Sequence, residues 1–144
     1  MAKLIFVNLP VVDLEASIAF YEAAGAVKNP QFSDETAACM VFSDTIHVML
    51  LTHAKFSHFT SRPIADAHKT AQMMLCISAD SRDAVDAQVD TSAAAGGQAD
   101  PNPQQDYGFM YSRSVADPDG HIWEVMFMDM AAASEHYAPE AVPA

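Results

Sequence analysis

The chain has 144 residues, 51% of them hydrophobic and 18% charged, and its 19 acidic against 7 basic residues give a net charge of −12. That length fits one domain whose core needs neither a disulfide nor a structural metal. The acidic balance, with basic residues that do not cluster, makes nucleic acid and anionic membrane surfaces poor partners.

Lys3 to Leu9, closed by Pro10, reads as a strand, and Asp13 as the N-cap of a helix carrying Leu14, Ile18 and Tyr21 on one stripe. Gly25 ends that helix where a left-handed residue is wanted. Ala26–Phe32, Ala37–Phe42 and Thr45–Leu51 read as three further strands. The mixed polar stretch from His53 to Thr70, interrupted by Arg62-Pro63, reads as a linker that also covers part of the domain.

The pattern then restarts. Met73–Ser78 reads as a strand and Asp80 or Ser81 as a cap, with a helix from Arg82 to Ala95 ending at Gly96-Gly97. After a loop rich in Pro, Asp, Asn and Gln, Tyr107–Val115 and Ile122–Met128 read as strands joined by the turn Asp117-Pro-Asp-Gly120. A strand, a capped helix, a glycine stop and further strands thus occur twice, which predicts an α+β fold of two βαβββ modules. The expected organisation is one domain over residues 1–130, with module one at 1–52, a linker at 53–71 and module two at 72–130. A loose tail is expected at 131–144.

Cys39 and Cys76 lie in apolar runs and are expected to be buried free thiols. The sequence lacks a secretory cleavage pattern and an apolar run of about 20 residues, so a cytoplasmic protein with no membrane association is expected.

Two motifs carry a family resemblance. Leu9-Pro-Val-Val-Asp-Leu-Glu-Ala-Ser-Ile-Ala-Phe-Tyr-Glu-Ala-Ala-Gly25 resembles the first strand–helix unit of the vicinal oxygen chelate superfamily, which holds glyoxalases, bleomycin-resistance proteins and extradiol dioxygenases. Asp117-Pro-Asp-Gly-His-Ile-Trp-Glu124 resembles its penultimate turn and last strand. The chain looks closest to bacterial proteins labelled predicted lactoylglutathione lyases. The resemblance implies half-barrel sheets backed by helices, and a homodimer. It also implies, in the enzymes, a divalent metal held by one ligand from each of four strands.

Carried onto this sequence, the four ligand positions are Phe6, Leu50, Met74 and Glu124. Neither phenylalanine nor leucine binds a metal, and a lone thioether suits a hard cation poorly. The resemblance therefore implies no metal and no other cofactor. Asn8 and His47 are the nearby residues from which a site with Glu124 could be rebuilt.

The expected pocket is apolar and methionine-rich, with Glu124 as the candidate catalytic residue. Phe6, Asn8, Leu50, Met74, Cys76 and Met126 are its candidate ligand contacts, with Tyr107, Tyr111 and Arg113 at its mouth. Such a pocket suits a small, partly apolar molecule. Glu124 could serve as a general base in a glyoxalase-like lyase or isomerase, or only hydrogen-bond within the fold. His121 reads as a turn residue and Trp123 as core. His53, His58, His68 and His136 match no zinc spacing.

Overall fold

The computed structural model describes residues 2–136. The first strand, β1 (Ile5–Val11), alternates in burial: Leu9 and Val11 enter the core, while Phe6 and Asn8 stay exposed on the other face. Helix α1 (Leu14–Ala23) starts at Asp13, whose carboxylate accepts from the Ala16 N–H at 3.1 Å. It buries Leu14, Ile18, Phe20 and Tyr21, and the chain leaves it through Gly25 at φ +105°.

The expected strand at 26–32 is divided. β2 covers Val27–Asn29, and Pro30–Phe32 forms a single 3-10 turn capped by Asn29, because Pro30 has no N–H to give a sheet ladder. β3 (Ala37–Val41) and β4 (Ile46–Thr52) complete the first module.

Residues 53–59 are helical rather than linker. Thr52 caps α2 (His53–Phe59), its hydroxyl accepting from the Lys55 N–H at 3.2 Å. The second module then runs β5 (Met74–Ser78), α3 (Arg82–Ala94), β6 (Gln98–Ala99), β7 (Gln105–Asp106), β8 (Met110–Ala116) and β9 (Ile122–Met128). Of the two cap candidates it is Ser81 that accepts from the Ala84 N–H, at 3.0 Å. A last helix, α4 (Met130–His136), stands where the tail was expected to be loose. Its first turn is held by the Asp129 carboxylate, which accepts from the Ala131 and Ala132 N–H groups at 3.1 and 3.2 Å, and it buries Ala133. Residues 137–144 of the expected tail lie outside the described residues.

The strands form two open sheets of the same design. The first has the order β1-β4-β3-β2; the second has β5-β9-β8-β6, with β7 also on β8. In each, the opening strand runs parallel to the closing strand of its own module, β1 to β4 and β5 to β9. A single apolar cluster joins the helix-facing sides of both, with Leu9, Val48 and Leu50 from the first sheet and Val85, Val89, Trp123 and Val125 from the second module. No helix among the described residues is long and apolar enough to cross a membrane.

The turn before β9 fixes how the linker sits. Gly120 adopts φ +92°, and a Cβ there would lie 2.7 Å from the Ala67 carbonyl carbon and the His68 nitrogen. The segment after α2 therefore presses directly on this glycine.

Candidate functional site

The internal repeat locates equivalent positions. Setting Leu14 on Arg82, the first residues of the two major helices, places Phe6 on Met74 and Asn8 on Cys76. The parallel ladders extend the match: Cys76 pairs with Glu124 and Asn8 with Met49. The first-module counterpart of Glu124 is thus Met49, not Leu50. Leu50 is fully buried in the core beneath α1 and contributes nothing to the open face. Strand alternation makes a one-residue offset a change of face.

Each sheet has one face turned away from the helices. On the first, Phe6 and His47 stack with ring centroids 4.4 Å apart, and Nδ1 of His47 is buried without a hydrogen-bond partner. On the second, Met74, Cys76, Glu124 and Met126 lie on neighbouring strands, with Ser112 and Ser114 opposite Met126 and Glu124.

Glu124 is half-buried, and both its carboxylate oxygens are engaged. Asn102 Nδ2 donates to Oε1 at 3.0 Å and Ser112 Oγ donates to Oε2 at 3.2 Å. Asn102 Nδ2 also lies 3.2 Å from Met74 Sδ, and its own N–H donates to Ser114 Oγ at 2.9 Å. The Pro/Gln loop thereby fixes one carboxylate beside Met74 and Cys76. Cys76 is exposed rather than buried as expected; partial desolvation, and then the Glu124 charge, raise its thiol pKa above the ordinary value.

The mouth residues take other roles. Arg113 lies on the helix-facing side of β8, buried, with its guanidinium forked onto Asp100 at 3.1 and 2.8 Å. It also reaches Asp86 and Asp90 at 3.0 Å each. These bonds, that to Asp100 foremost, raise the Arg113 pKa further and occupy four of its five N–H donors. Tyr111 donates to Asp86 at 2.6 Å on the same side, and the Arg82 guanidinium sits over its ring. Both residues are occupied in tying β8 to α3 and do not line the open face. Tyr107 is exposed and stacks near Phe109 with centroids 6.3 Å apart. Of the other candidates, Trp123 is core as expected, and His121 in its turn donates Nε2–H to the Pro10 carbonyl at 2.9 Å.

The superfamily's divalent metal can be tested against these donors. Phe6, Met49 and Met74 at the equivalent positions offer no hard ligand. Asn8 and His47 belong to the first sheet and Glu124 to the second. Among the described residues no group of three or more His, Cys, Asp or Glu side chains is placed to hold a metal ion. The residues present do not fit the group.

A cavity of about 590 Å³ lies elsewhere, along the outer edge of β1. It is roofed by α2 and the segment leading to β5, and its wall is largely apolar, with Val7, Leu51, Phe56, Phe59, Ile64 and Leu75 among its residues. Asn8 alone of the expected site residues reaches it. Thr52 as a cap, with Phe56 and Phe59 three apart, was the signal for the missed helix that builds this roof.

The sequence model of the "Glyoxalase/Bleomycin resistance protein/Dioxygenase superfamily" matches residues 3–125. A hypothetical protein, SA1046, from S. aureus superposes with TM-score 0.73 at 22% identity, over 88% of this chain and 94% of its own. A glyoxalase-related enzyme from Fulvimarina pelagi gives TM-score 0.73 at 23% identity, over 88% of each chain. The fosfomycin resistance protein FosX from Mesorhizobium loti gives 0.66 at 16% identity, over 96% and 99%. At such identities the likeness is one of fold. No curated protein matches the sequence.

Proposed function

The chain belongs to the glyoxalase/bleomycin resistance protein/dioxygenase superfamily, and from that premise we propose that it binds a small, partly apolar molecule without the metal chemistry of the superfamily's enzymes. The observation that carries this reading is the cavity of about 590 Å³ between β1 and its roof. Its volume falls within the roughly 300–1,000 Å³ typical of ligand sites, and its apolar wall with few polar groups matches their chemistry. The methionine-rich open face of the second sheet is the neighbouring surface on which such a molecule could extend.

The test pairs metal analysis with ligand binding on protein purified without a histidine tag. Substoichiometric nickel, zinc, manganese and iron, with binding of neutral apolar probes unchanged by chelator, is the expected result. A metal ion per chain that a ligand requires for binding would overturn the reading.

The hydrogen bonds from Asn102 and Ser112 favour a second reading, an isomerase or lyase. They hold Glu124 in one orientation, next to Cys76, as a general base requires. It predicts turnover of the methylglyoxal–glutathione adduct, or another enolisable substrate, that disappears in Glu124→Gln; no turnover over a broad panel would end it.

We further expect a cytoplasmic homodimer. Ile5, Phe6, Met73 and Met74 are exposed on or beside the two edge strands β1 and β5, and pairing would cover them. A monomer by light scattering at working concentration would remove this expectation.

A further inference from the structure

The charges around the cavity do not resemble those of the rest of the molecule. The chain carries 19 acidic residues, yet not one of the residues lining the cavity is Asp or Glu. Arg62 does line it. Between His53 and Thr70, the stretch that supplies the roof, stand Lys55, Arg62 and Lys69 against the single acid Asp66. Three of the chain's seven basic residues are thus gathered in a cover eighteen residues long, although in the sequence they looked scattered.

No described residue forms an ion pair with Arg62; the ion pairs among them are made by Arg82 and Arg113. Lys55 places its ammonium 5.7 Å from the ring centroid of Phe59, a residue of the cavity wall. The Asp66 carboxylate is turned to its own backbone, accepting from the His68 N–H at 3.0 Å. An apolar space lined by one cationic side chain, Arg62, and by no carboxylate, in a molecule of charge −12, is the electrostatic complement of an apolar body ending in one negative charge.

We propose that the cavity takes an amphipathic monoanion, an organic acid whose aromatic or aliphatic body lies against Phe56, Phe59, Ile64 and Leu75 and whose carboxylate meets Arg62 at the rim. This rests on the reading of the cavity as a ligand site and adds the class of ligand. Arg62 suits the role because a guanidinium matches a carboxylate with two parallel N–H donors, and it makes no ion pair with a carboxylate among the described residues.

The experiment compares 4-phenylbutyrate with 4-phenyl-1-butanol, the same skeleton with and without the charge, by calorimetry or chemical-shift titration. The expected result is that the acid binds about fivefold more tightly than the alcohol at low salt. The difference should shrink as salt is added and vanish in Arg62→Gln, where the acid falls to the alcohol's affinity. Ala71→Trp, which fills the cavity from its exposed cover, should abolish binding of both while the circular-dichroism spectrum stays that of the parent.

Equal affinity of acid and alcohol, or an acid preference that survives Arg62→Gln, overturns the anion assignment and leaves the cavity reading standing. Failure of both probes to bind, or binding that survives in folded Ala71→Trp, overturns the cavity reading itself.

Discussion

Tyr21 on α1 donates a 2.6 Å hydrogen bond to Asp117 at the turn before β9, joining the two family motifs across 96 positions of sequence. Both residues are buried, and Trp123 Nε1 donates to the same tyrosine oxygen at 3.0 Å. The aspartate also accepts from the Asp119 and His121 N–H groups at 2.9 Å each. One short network therefore fixes the first module's helix, the turn and the last strand to one another. Burial, reinforced by the Asp117 charge, raises the Tyr21 phenol well above its usual pKa and keeps it a donor.

Tyr21→Phe should destabilise the fold by about 1–3 kcal/mol. It removes the donor to a buried carboxylate and the acceptor for Trp123 together. Urea unfolding followed by tryptophan fluorescence measures it. A change below about 0.5 kcal/mol would mean that the network carries no stability.

Leu50→Ala and Met49→Ala separate core from open face. Leu50 is fully buried, so its truncation should cost about 2–5 kcal/mol with ligand affinity unaltered in the folded fraction. Met49, on the opposite face of β4, should cost less. The reverse order would restore Leu50 to the ligand-facing side.

Gly120→Ala should cost at least about 2 kcal/mol. The new methyl meets backbone of Ala67 and His68, not a side chain that could swing away. The positive φ adds strain to any residue with a Cβ. Because the displaced segment roofs the cavity, this variant should also weaken probe binding. Equal stability to the parent would show that the segment moves off freely.

The salt-bridge cluster on α3 predicts a pH dependence. Hydrogen bonds from Arg113 hold the Asp100 carboxyl below its ordinary pKa, against partial burial. A depressed folded pKa contributes stability that is present above the ordinary carboxylate value near 4 and is lost as pH falls through the folded one. The stability gap between parent and Asp100→Asn should then be widest near neutrality and close in acid. Burial moves Asp117 the other way, above the ordinary value; its contribution is present in acid and declines as pH rises through its folded pKa. A gap for Asp100→Asn that stays constant from neutrality to pH 3 would refute the Asp100 assignment.

Local chemistry made most of the fold legible. The Asp13 cap, the Gly25 stop, the Asp117–Gly120 turn and the strand Ile122–Met128 each declare themselves within a few residues, and each was found where it was read. The repeat of strand, cap, helix and glycine sufficed for two modules, and the two motifs for the family. The face of Glu124 was legible too, since alternation along one strand needs no partner.

What depended on two segments meeting was not legible. Leu50 was misplaced by one residue because register is set by pairing across β1 and β4, and a single step exchanges core for solvent. Which acids Arg113 pairs with was not legible, because its three aspartates come from α3 and the loop at Asp100, brought together only when β8 packs on that helix. The cavity left no trace in any one stretch. It exists because α2 and the segment pressed on Gly120 lie over the edge of β1, and Arg62 joins its lining only once that cover is folded into place. Backbone propensity and capping act over one turn of chain, whereas an enclosed space and its field are sums over residues that are distant in sequence.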